Sequence, residues 1–266
     1  MTATVTEEPV RYETSDGVAV VTLNRPQRRN AWTAAMEHAY YDSLAAAGDD
    51  PAVRVIVVTG AGTSFCPGLD PDVLGASTRG AHYDADPRPR TFATTIPKPV
   101  IAAINGNCAG IGLLQALCCD VRFVDRTARL STAFSRRGLP AEDAATWLLS
   151  RMIGHARALE LLLSGRVFDA DEALRLGLVH WVVEDGRTLP RALGYARDLA
   201  ANVSPHSMMM IKSQMYADLD GTLQQSLSRA RELIPVAKQH PDFREGVESF
   251  VEKRPPQFVP YPASEA

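Results

Sequence analysis

Two glycine-containing turns, each following an apolar run typical of a buried strand, form the pattern in this chain that is most able to do chemistry. The first turn spans residues 64–70 (SFCPGLD) and follows the run 53–59, and the second spans residues 105–112 (NGNCAGIG) and follows the run 99–104. Each turn can present one backbone N–H group. Two such groups that converge on one point form an oxyanion hole, which stabilises the negative charge that develops on a carbonyl oxygen.

The composition is typical of an ordinary globular protein. The chain has 266 residues, enough for one large domain or for one domain with a smaller appendage. Hydrophobic residues make up 45% and charged residues 22% of the sequence, close to the average for soluble domains. The formal net charge of -3 gives no global field that would favour nucleic acid or an anionic membrane, although a local basic group could still bind a phosphorylated ligand.

Targeting signals, disulfide spacing and metal-binding patterns are not found in the sequence. The start of the chain is rich in Thr and Glu and lacks an apolar stretch, so we expect neither a signal peptide nor an anchor. No run of about 18 apolar residues occurs, which argues against a membrane span. Cys66, Cys108, Cys118 and Cys119 lack a framework spacing and are expected to stay reduced in a cytoplasmic protein. The six histidines are scattered, so we predict no metal site.

Periodicity and turn signals predict strands early in the chain and helices later. The predicted strands span residues 10–14, 18–23, 53–59, 100–104, 120–125 and 179–183. Helices are predicted to begin after Thr33 and Asp70 as N-caps, near 110, and over 143–152, 154–163 and 170–176. Residues 77–90 are polar and contain two prolines, and we expect them to form a mobile loop.

Beyond residue 188 nearly the whole chain is predicted to be helical. The predicted helices span residues 189–202, 205–216, 222–238 and 241–252. We therefore expect a core of strand–helix units over residues 1–187 and a helical region over residues 188–266. A tail of this kind packs either on its own core or on another subunit.

Six segments, in matching order, resemble the crotonase superfamily of enoyl-CoA hydratases and isomerases. They are residues 23–26 (LNRP) with 30–31 (NA), 64–70 (SFCPGLD), 98–106 (KPVIAAING), 119–120 (CD), 177–179 (GLV) and 250–254 (FVEKR). The resemblance implies an α/β fold with a spiral core of ββα turns and a C-terminal helical region. It also implies a homotrimer, or a hexamer built as a dimer of trimers, and an acyl-CoA thioester substrate whose coenzyme A is the only cofactor-like group.

The resemblance places the two oxyanion-hole donors at the backbone N–H groups of Leu69 and Ile111. Ile111 would begin a helix, so the positive end of the helix dipole would also face the oxygen. The alternative is that Gly68 and Gly110 only permit tight turns, because an isolated Gly-x-Gly pattern is weak evidence. The other matching segments favour the oxyanion hole.

The chain departs from the hydratase pattern at the two positions where that group carries glutamates, which map to Leu114 and Phe134. Both residues are apolar, so the pair of acids that would orient a water is missing. Residues 138–142 (GLPAE) resemble the loop that carries the single glutamate of peroxisomal-type Δ3,Δ2-enoyl-CoA isomerases, which indicates Glu142 as the acid. An apolar lining of Leu114, Phe134 and Trp147 would exclude water and raise the pKa of Glu142.

Glu142 also has a simpler interpretation. An acidic residue in the first turn of a helix is favoured by the helix dipole alone, and Asp143 suits an N-cap better than catalysis. Glycines often follow the acid in the single-glutamate pattern, whereas Asp143, Ala144 and Ala145 follow it here.

Coenzyme A is a polyanion, and the basic cluster of Arg25, Arg28 and Arg29 is placed to meet its phosphates. A solvated basic loop is the alternative for any one of these arginines. The resemblance further implies that Phe250 and Lys253 close the coenzyme A site, commonly from a neighbouring subunit. Ordinary helix packing is the alternative for Phe250.

By the same resemblance, four residues are expected to lie along the pantetheine and adenine of coenzyme A. They are Ala31, Cys66, Gly68 and Asp70. Gly110, in the second turn, is expected to contact the substrate. The apolar neighbours of Cys66 favour packing over a nucleophilic role.

Three functions remain open from the sequence. The first is an enoyl-CoA isomerase, or a hydratase-like enzyme that works with one carboxylate. The second is a hydratase in which Glu142 and Asp143 together handle the water. The third is an acyl-CoA-binding protein with weak or no catalysis, and decarboxylase or hydrolase chemistry also stays open because a fold does not fix a reaction.

Overall fold

The computed structural model of the chain describes residues 8–184 and 186–261. Strands and helices alternate through its first two thirds, and helices make up the rest. The strands are β1 (Val10–Ser15), β2 (Val18–Leu23), β3 (Val55–Gly60), β4 (Ser64–Cys66), β5 (Val100–Ile104), β6 (Asn107–Ala109), β7 (Val121–Asp125), β8 (Arg129–Ser131), β9 (Val167–Asp169) and β10 (Trp181–Val183).

A six-stranded sheet in the order β1-β2-β3-β5-β7-β10 forms the centre of the protein. The first pair is antiparallel and the other neighbours are parallel. β3 and β5 are buried at every position, as expected for parallel strands that are covered on both faces. Their Val- and Ile-rich sequences therefore predicted their place in the sheet.

A smaller sheet in the order β4-β6-β8-β9 lies beside the first. Each of β3, β5 and β7 is followed after a short turn by a strand of the smaller sheet and then by helical chain. This repeat confirms the ββα core that the sequence resemblance implied. β4 pairs with β6 in parallel, so the turns that follow these two strands meet at the same edge of the small sheet.

Two helix N-caps predicted from the sequence are confirmed. The side chain of Thr33 accepts the N–H of Met36, and the side chain of Asp70 accepts the N–H of Asp72. The helices are α1 (Ala34–Asp49), α2 (Pro71–Ser77), α3 (Ile111–Leu117), α4 (Ala145–Ile153), α5 (His155–Ser164), α6 (Ala170–Leu176), α7 (Thr188–Asn202), α8 (Pro205–Asp218), α9 (Leu223–Gln239) and α10 (Pro241–Glu252). Within the described residues, no helix is both long and apolar enough to cross a membrane.

The C-terminal helices pack in two different ways. Ala192, Ala196 and Ala200 of α7 are buried in one cluster with strand residues such as Val57 and Ile101. α8, α9 and α10 instead carry large apolar side chains that this chain leaves exposed, including Ile211, Met215, Leu223, Phe250 and Val251. The division of the chain at residue 188 stays a prediction.

One local prediction needs correction. α4 begins at Ala145 rather than near Asp143, because Asp143 and Ala144 both have positive φ, at 47° and 63°. The segment 77–90, expected to be a mobile loop, has no helix or strand after Ser77, the last residue of α2, and contacts α1. The N–H of Asp86 donates to the buried carboxylate of Glu37, and Arg88 pairs with Asp86 and Asp42.

Candidate active site

The first glycine turn is fixed by a parallel bridge between Trp32 and Leu69. The N–H of Trp32 donates to the carbonyl of Gly68 at 2.8 Å, and the N–H of Asp70 donates to the carbonyl of Trp32 at 2.9 Å. Peptide groups alternate in direction along an extended segment, so the N–H of Leu69 points away from Trp32. No backbone acceptor within residues 8–184 and 186–261 bonds to it.

The second turn places an amide at the start of a helix. Gly110 precedes α3 with φ of 53°, and its own N–H donates to Ser131 at 3.0 Å. Ile111 is the first residue of α3, so its N–H has no partner inside the helix and lies at the positive end of the dipole. This start of the helix agrees with the position predicted from the sequence.

The two turns lie side by side. A Cβ placed on Gly110 would be 3.9 Å from the Cα of Gly68, and one placed on Gly68 would be 3.4 Å from the carbonyl oxygen of Ala109. Leu69 and Ile111 line one cavity of about 680 Å³. The structure therefore brings Leu69 and Ile111 to one cavity, and in the described part of the chain neither backbone N–H has a backbone acceptor.

Charged and apolar residues share the walls of this cavity. They are Gln27, Arg28, Arg29, Ala31, Pro67, Gly68, Leu69, Pro71, Asp72, Leu74, Ser77, Tyr83, Arg90, Gly110, Ile111, Ala133, Phe134, Arg137, Leu139 and Glu142. Two of these described residues are carboxylates, Asp72 and Glu142. The side chain of Asp72 is 84% exposed and pairs with Arg28, which leaves Glu142 as the carboxylate on the wall that also holds Phe134.

Glu142 is half-buried at the cavity. Burial raises the pKa of its carboxyl group, the nearby Arg90 opposes that rise, and the negative charge of Asp143 adds to it. Glu142 lies before α4 and not in its first turn. The simpler interpretation, an acid in the first turn that the helix dipole favours, therefore does not apply. A partly buried carboxylate with a raised pKa is suited to take up a proton and later return it.

Asp143 does not cap α4, contrary to the sequence interpretation. The residue before the helix is Ala144, and no side chain caps this end. The carboxylate of Asp143 instead accepts from Nη1 of Arg90 at 2.7 Å. Asp143 and Ala144 are both left-handed and neither is a glycine. Such a conformation costs about 1–3 kcal/mol for each residue and persists only where surrounding contacts hold it.

Glu37, which the sequence did not single out, is a buried carboxylate next to Arg90. Oε2 of Glu37 accepts the indole N–H of Trp32 at 2.8 Å and the hydroxyl of Tyr83 at 3.0 Å, and it lies 3.5 Å from Nε of Arg90. Glu37 shares the inner face of α1 with Met36, Tyr40, Tyr41 and Leu44. An acidic residue on such an apolar helix face was the available signal, because a buried charge requires partners.

The expected apolar lining is only partly correct. Phe134 lines the cavity, whereas Leu114 is buried among core residues and is not part of the wall. Trp147 was wrongly assigned, because it lines a second cavity of about 430 Å³ that includes Met215 and Leu219, and Arg151 lies 4.2 Å from its ring centre. The buried positions Ala145, Leu148, Leu149 and Ile153 define the inner face of α4 and turn Trp147 towards α8.

The basic cluster predicted for coenzyme A is partly neutralised within the chain. Arg25 and Arg28 both pair with Asp70, at 3.1 and 2.7 Å, and the Asp70 side chain is only 3% exposed. These hydrogen bonds, that from Arg28 foremost, lower the pKa of Asp70. The carboxylate of Asp70 therefore orders the two arginines. Arg28, Arg29 and Ala31 line the cavity, whereas Arg25 donates to the carbonyl of Ala31.

Cys66 and the C-terminal pair lie outside this cavity wall. Cys66 is buried, and burial raises the pKa of its thiol to about 12, which agrees with a packing role. The side chain of Phe250 is 84% exposed, so ordinary packing within this chain does not explain it. Lys253 follows α10 in a left-handed conformation.

Comparison with known proteins gives one consistent result. Residues 13–260 match the family described as enoyl-CoA hydratase/isomerase. The enoyl-CoA hydratase ACTT3 of Alternaria alternata is 38% identical over 92% of this chain and 83% of its own length. The 1,2-epoxyphenylacetyl-CoA isomerase of Escherichia coli K12 is 35% identical over 91% of this chain and 95% of its own length. The crystal structure of an enoyl-CoA hydratase from Mycobacterium tuberculosis H37Rv superimposes with a TM-score of 0.87 at 30% identity, covering 95% of this chain and 99% of that one.

Proposed function

The chain belongs to the enoyl-CoA hydratase/isomerase family of acyl-CoA enzymes, and on that basis we propose that it is an enoyl-CoA isomerase that works with a single acid, Glu142. The substrate would be a 3-enoyl-CoA and the product a 2-enoyl-CoA. The donors to the thioester oxygen would be the amides of Leu69 and Ile111. The proposal depends on one cavity, which Leu69, Ile111 and Glu142 all line.

The two amides would stabilise the enolate oxygen. Both residues line the cavity, neither amide has a backbone acceptor in the described part of the chain, and Ile111 begins a helix. Donors that are already oriented need no rearrangement as charge develops, and losing one of them typically costs about 3 kcal/mol of barrier.

Glu142 would carry the proton. Its carboxylate takes the proton from C2, and the electrons of the C–H bond form a dienolate whose negative charge rests on the thioester oxygen. The carboxylic acid then returns the proton to C4, which leaves the double bond between C2 and C3. Atoms and charge balance with this one acid, and the raised pKa of Glu142 makes its carboxylate a stronger base for the removal of the proton from C2.

The observation that carries this proposal is that, of the two carboxylates among the described lining residues, Glu142 is partly buried whereas Asp72 is exposed. Hydration with two acids needs a second carboxylate to hold the water, and the family positions for it are occupied by Leu114 and Phe134. A hydratase that uses Glu142 with Asp143 is less well supported, because Asp143 is not among the described residues that line the cavity and its carboxylate lies closer to Arg90, at 2.7 Å, than that of Glu142 does, at 3.4 Å. Coenzyme A would enter past Arg28, Arg29 and Ala31.

We also expect the chain to assemble with copies of itself, as a trimer or as a hexamer. α8, α9 and α10 each expose large apolar side chains, and exposed apolar surface of this kind commonly marks a site of protein association. Phe250 and Lys253, which do not reach the cavity of their own chain, would then close the coenzyme A site of a neighbour.

The test is the turnover of Glu142→Gln with 3-enoyl-CoA and with 2-enoyl-CoA, with identification of each product. We expect isomerisation by the unchanged protein and a loss of at least about a hundredfold in the variant, because removing a general base commonly costs 10²- to 10⁴-fold. Glu160→Gln, an exposed carboxylate paired with Arg166, is the matched control. Hydration of 2-enoyl-CoA as the main activity would contradict the proposal, and so would thioester binding without turnover.

A further inference from the structure

Arg90 is the one described residue whose side chain pairs with both Glu142 and Asp143. Its Nη1 lies 3.4 Å from Oε2 of Glu142 and 2.7 Å from Oδ2 of Asp143. On its other side, Nε lies 3.5 Å from the buried carboxylate of Glu37. The guanidinium is mostly buried, so it is held between a fixed anion and the loop that carries the acid.

Arg90 is also connected to both glycine turns. Its carbonyl accepts the side-chain amide of Gln115 in α3, the helix that Ile111 begins. Glu37, its partner, accepts the indole N–H of Trp32, whose backbone bridges Leu69. One residue therefore links the acid to the two elements that present the amides.

The loop after Glu142 adopts a backbone that glycine would favour, yet it contains none. Asp143 and Ala144 are consecutive residues with positive φ. Such a conformation persists in L-residues only where other contacts hold it. Two backbone hydrogen bonds hold this loop, from Ala145 to the carbonyl of Glu142 and from Leu148 to the carbonyl of Ala144. The side-chain contacts that the structure provides here are the ion pairs from Arg90 to Asp143 and to Glu142.

We propose that Arg90 is a positioning residue, which clamps Asp143 so that the loop keeps its left-handed turn and Glu142 faces the two amides. This ion pair takes the place of the backbone freedom that glycines would supply. The inference rests on the proposed function, since it assigns Arg90 a role through Glu142. It accounts for the departure from the glycine pattern at residues 143–145.

The charges around Glu142 determine the direction in which its pKa changes when Arg90 is removed. Arg90 is a cation facing it, Asp143 and Glu37 are anions on the loop and on α1, and Arg137 and the hydroxyl of Tyr83 belong to the same cavity. Arg90 favours the ionised form of Glu142. Removal of Arg90 therefore raises the pKa of Glu142 and moves the rise of activity with pH to a higher pH.

The experiment compares Arg90→Met with Arg90→Met/Ala144→Gly by kcat, KM and pH profile on 3-enoyl-CoA. We expect kcat of Arg90→Met to fall at least about tenfold with a smaller change in KM, since a misplaced group near the chemistry can cost about a hundredfold. Glycine at position 144 makes the left-handed turn accessible without strain, so the double variant should recover most of that loss. Its pH profile should stay displaced, because the cation is still missing.

Arg88→Met is the matched control, since Arg88 lies two residues before Arg90 and pairs with Asp42 and Asp86 instead of with Glu142 or Asp143. We expect its kcat to stay within about twofold of the unchanged protein. Equal losses in Arg88→Met and Arg90→Met, or no recovery in the double variant, would overturn the positioning role. Retained turnover in Glu142→Gln would overturn the proposed function itself, so the two failures are distinguishable.

Discussion

Gly112 packs against Cys66 so closely that a Cβ on the glycine would lie 2.2 Å from the carbonyl oxygen of Cys66. The contact joins the first turn of α3 to the end of β4. It therefore fixes the separation between the two glycine turns, and with it the separation between the amides of Leu69 and Ile111.

Gly112→Ala should lower both stability and turnover, because the new methyl group must push α3 away from β4. We expect a decrease of several degrees in Tm and a fall in kcat of at least about tenfold, since small displacements at a site are costly. Gly194→Ala in α7 is the control, because no atom lies within 4 Å of its added Cβ. That helical position should tolerate alanine or gain stability. A fully active Gly112→Ala protein would contradict the spacing argument.

Ile111→Pro tests one amide directly. Proline is favoured at the first position of a helix, so the substitution removes the N–H while keeping the start of α3. We expect kcat to fall by about 10²- to 10³-fold. Ile111→Ala keeps the N–H and loses the side chain, so it separates donor loss from packing loss. The assignment fails if the alanine and proline variants have the same activity.

The rate should depend on the protonation of Glu142. Burial raises its pKa above the ordinary value of 4.5, and the general base must be ionised. Activity should therefore be low in acid and rise as the pH passes through the raised pKa. A kcat/KM profile with 3-enoyl-CoA checks this expectation, and a profile that is flat from pH 4 upwards would rule it out.

The exposed apolar surface of α8, α9 and α10 should be covered in solution. Size-exclusion chromatography with light scattering should give the mass of three or six chains. Ile211→Asp places a charge on that surface and should shift the protein towards smaller species, because burying an unpaired carboxylate is costly. A stable monomer at micromolar concentration would contradict the assembly.

Local sequence signals predicted much of the fold and part of the candidate site. The caps at Thr33 and Asp70, the buried strands β3 and β5, and the helix that begins at Ile111 each depend on residues close in sequence. The resemblance supplied the ββα order that the structure confirms.

Local sequence signals could not predict ion pairs between distant residues or the direction of a side chain. Arg25 and Arg28 are separated from Asp70 by more than forty residues, and Arg90 from Asp143 by 53, so their ion pairs follow only from the folded topology. The direction of Trp147 depends on which face of α4 packs on the core. The start of α4 was placed too early because Asp143 and Ala144 are left-handed although neither is a glycine.

The most direct test of the central claim follows deuterium placed at both hydrogen positions of C2 in 3-enoyl-CoA. A single acid that takes the hydrogen from C2 and returns it to C4, in a cavity lined by apolar groups such as Phe134 and Leu139, should deliver a measurable part of the label to C4 of the product. Mass spectrometry and NMR of the product locate the label. Product whose C4 carries only solvent hydrogen, formed equally well by Glu142→Gln, would contradict the account.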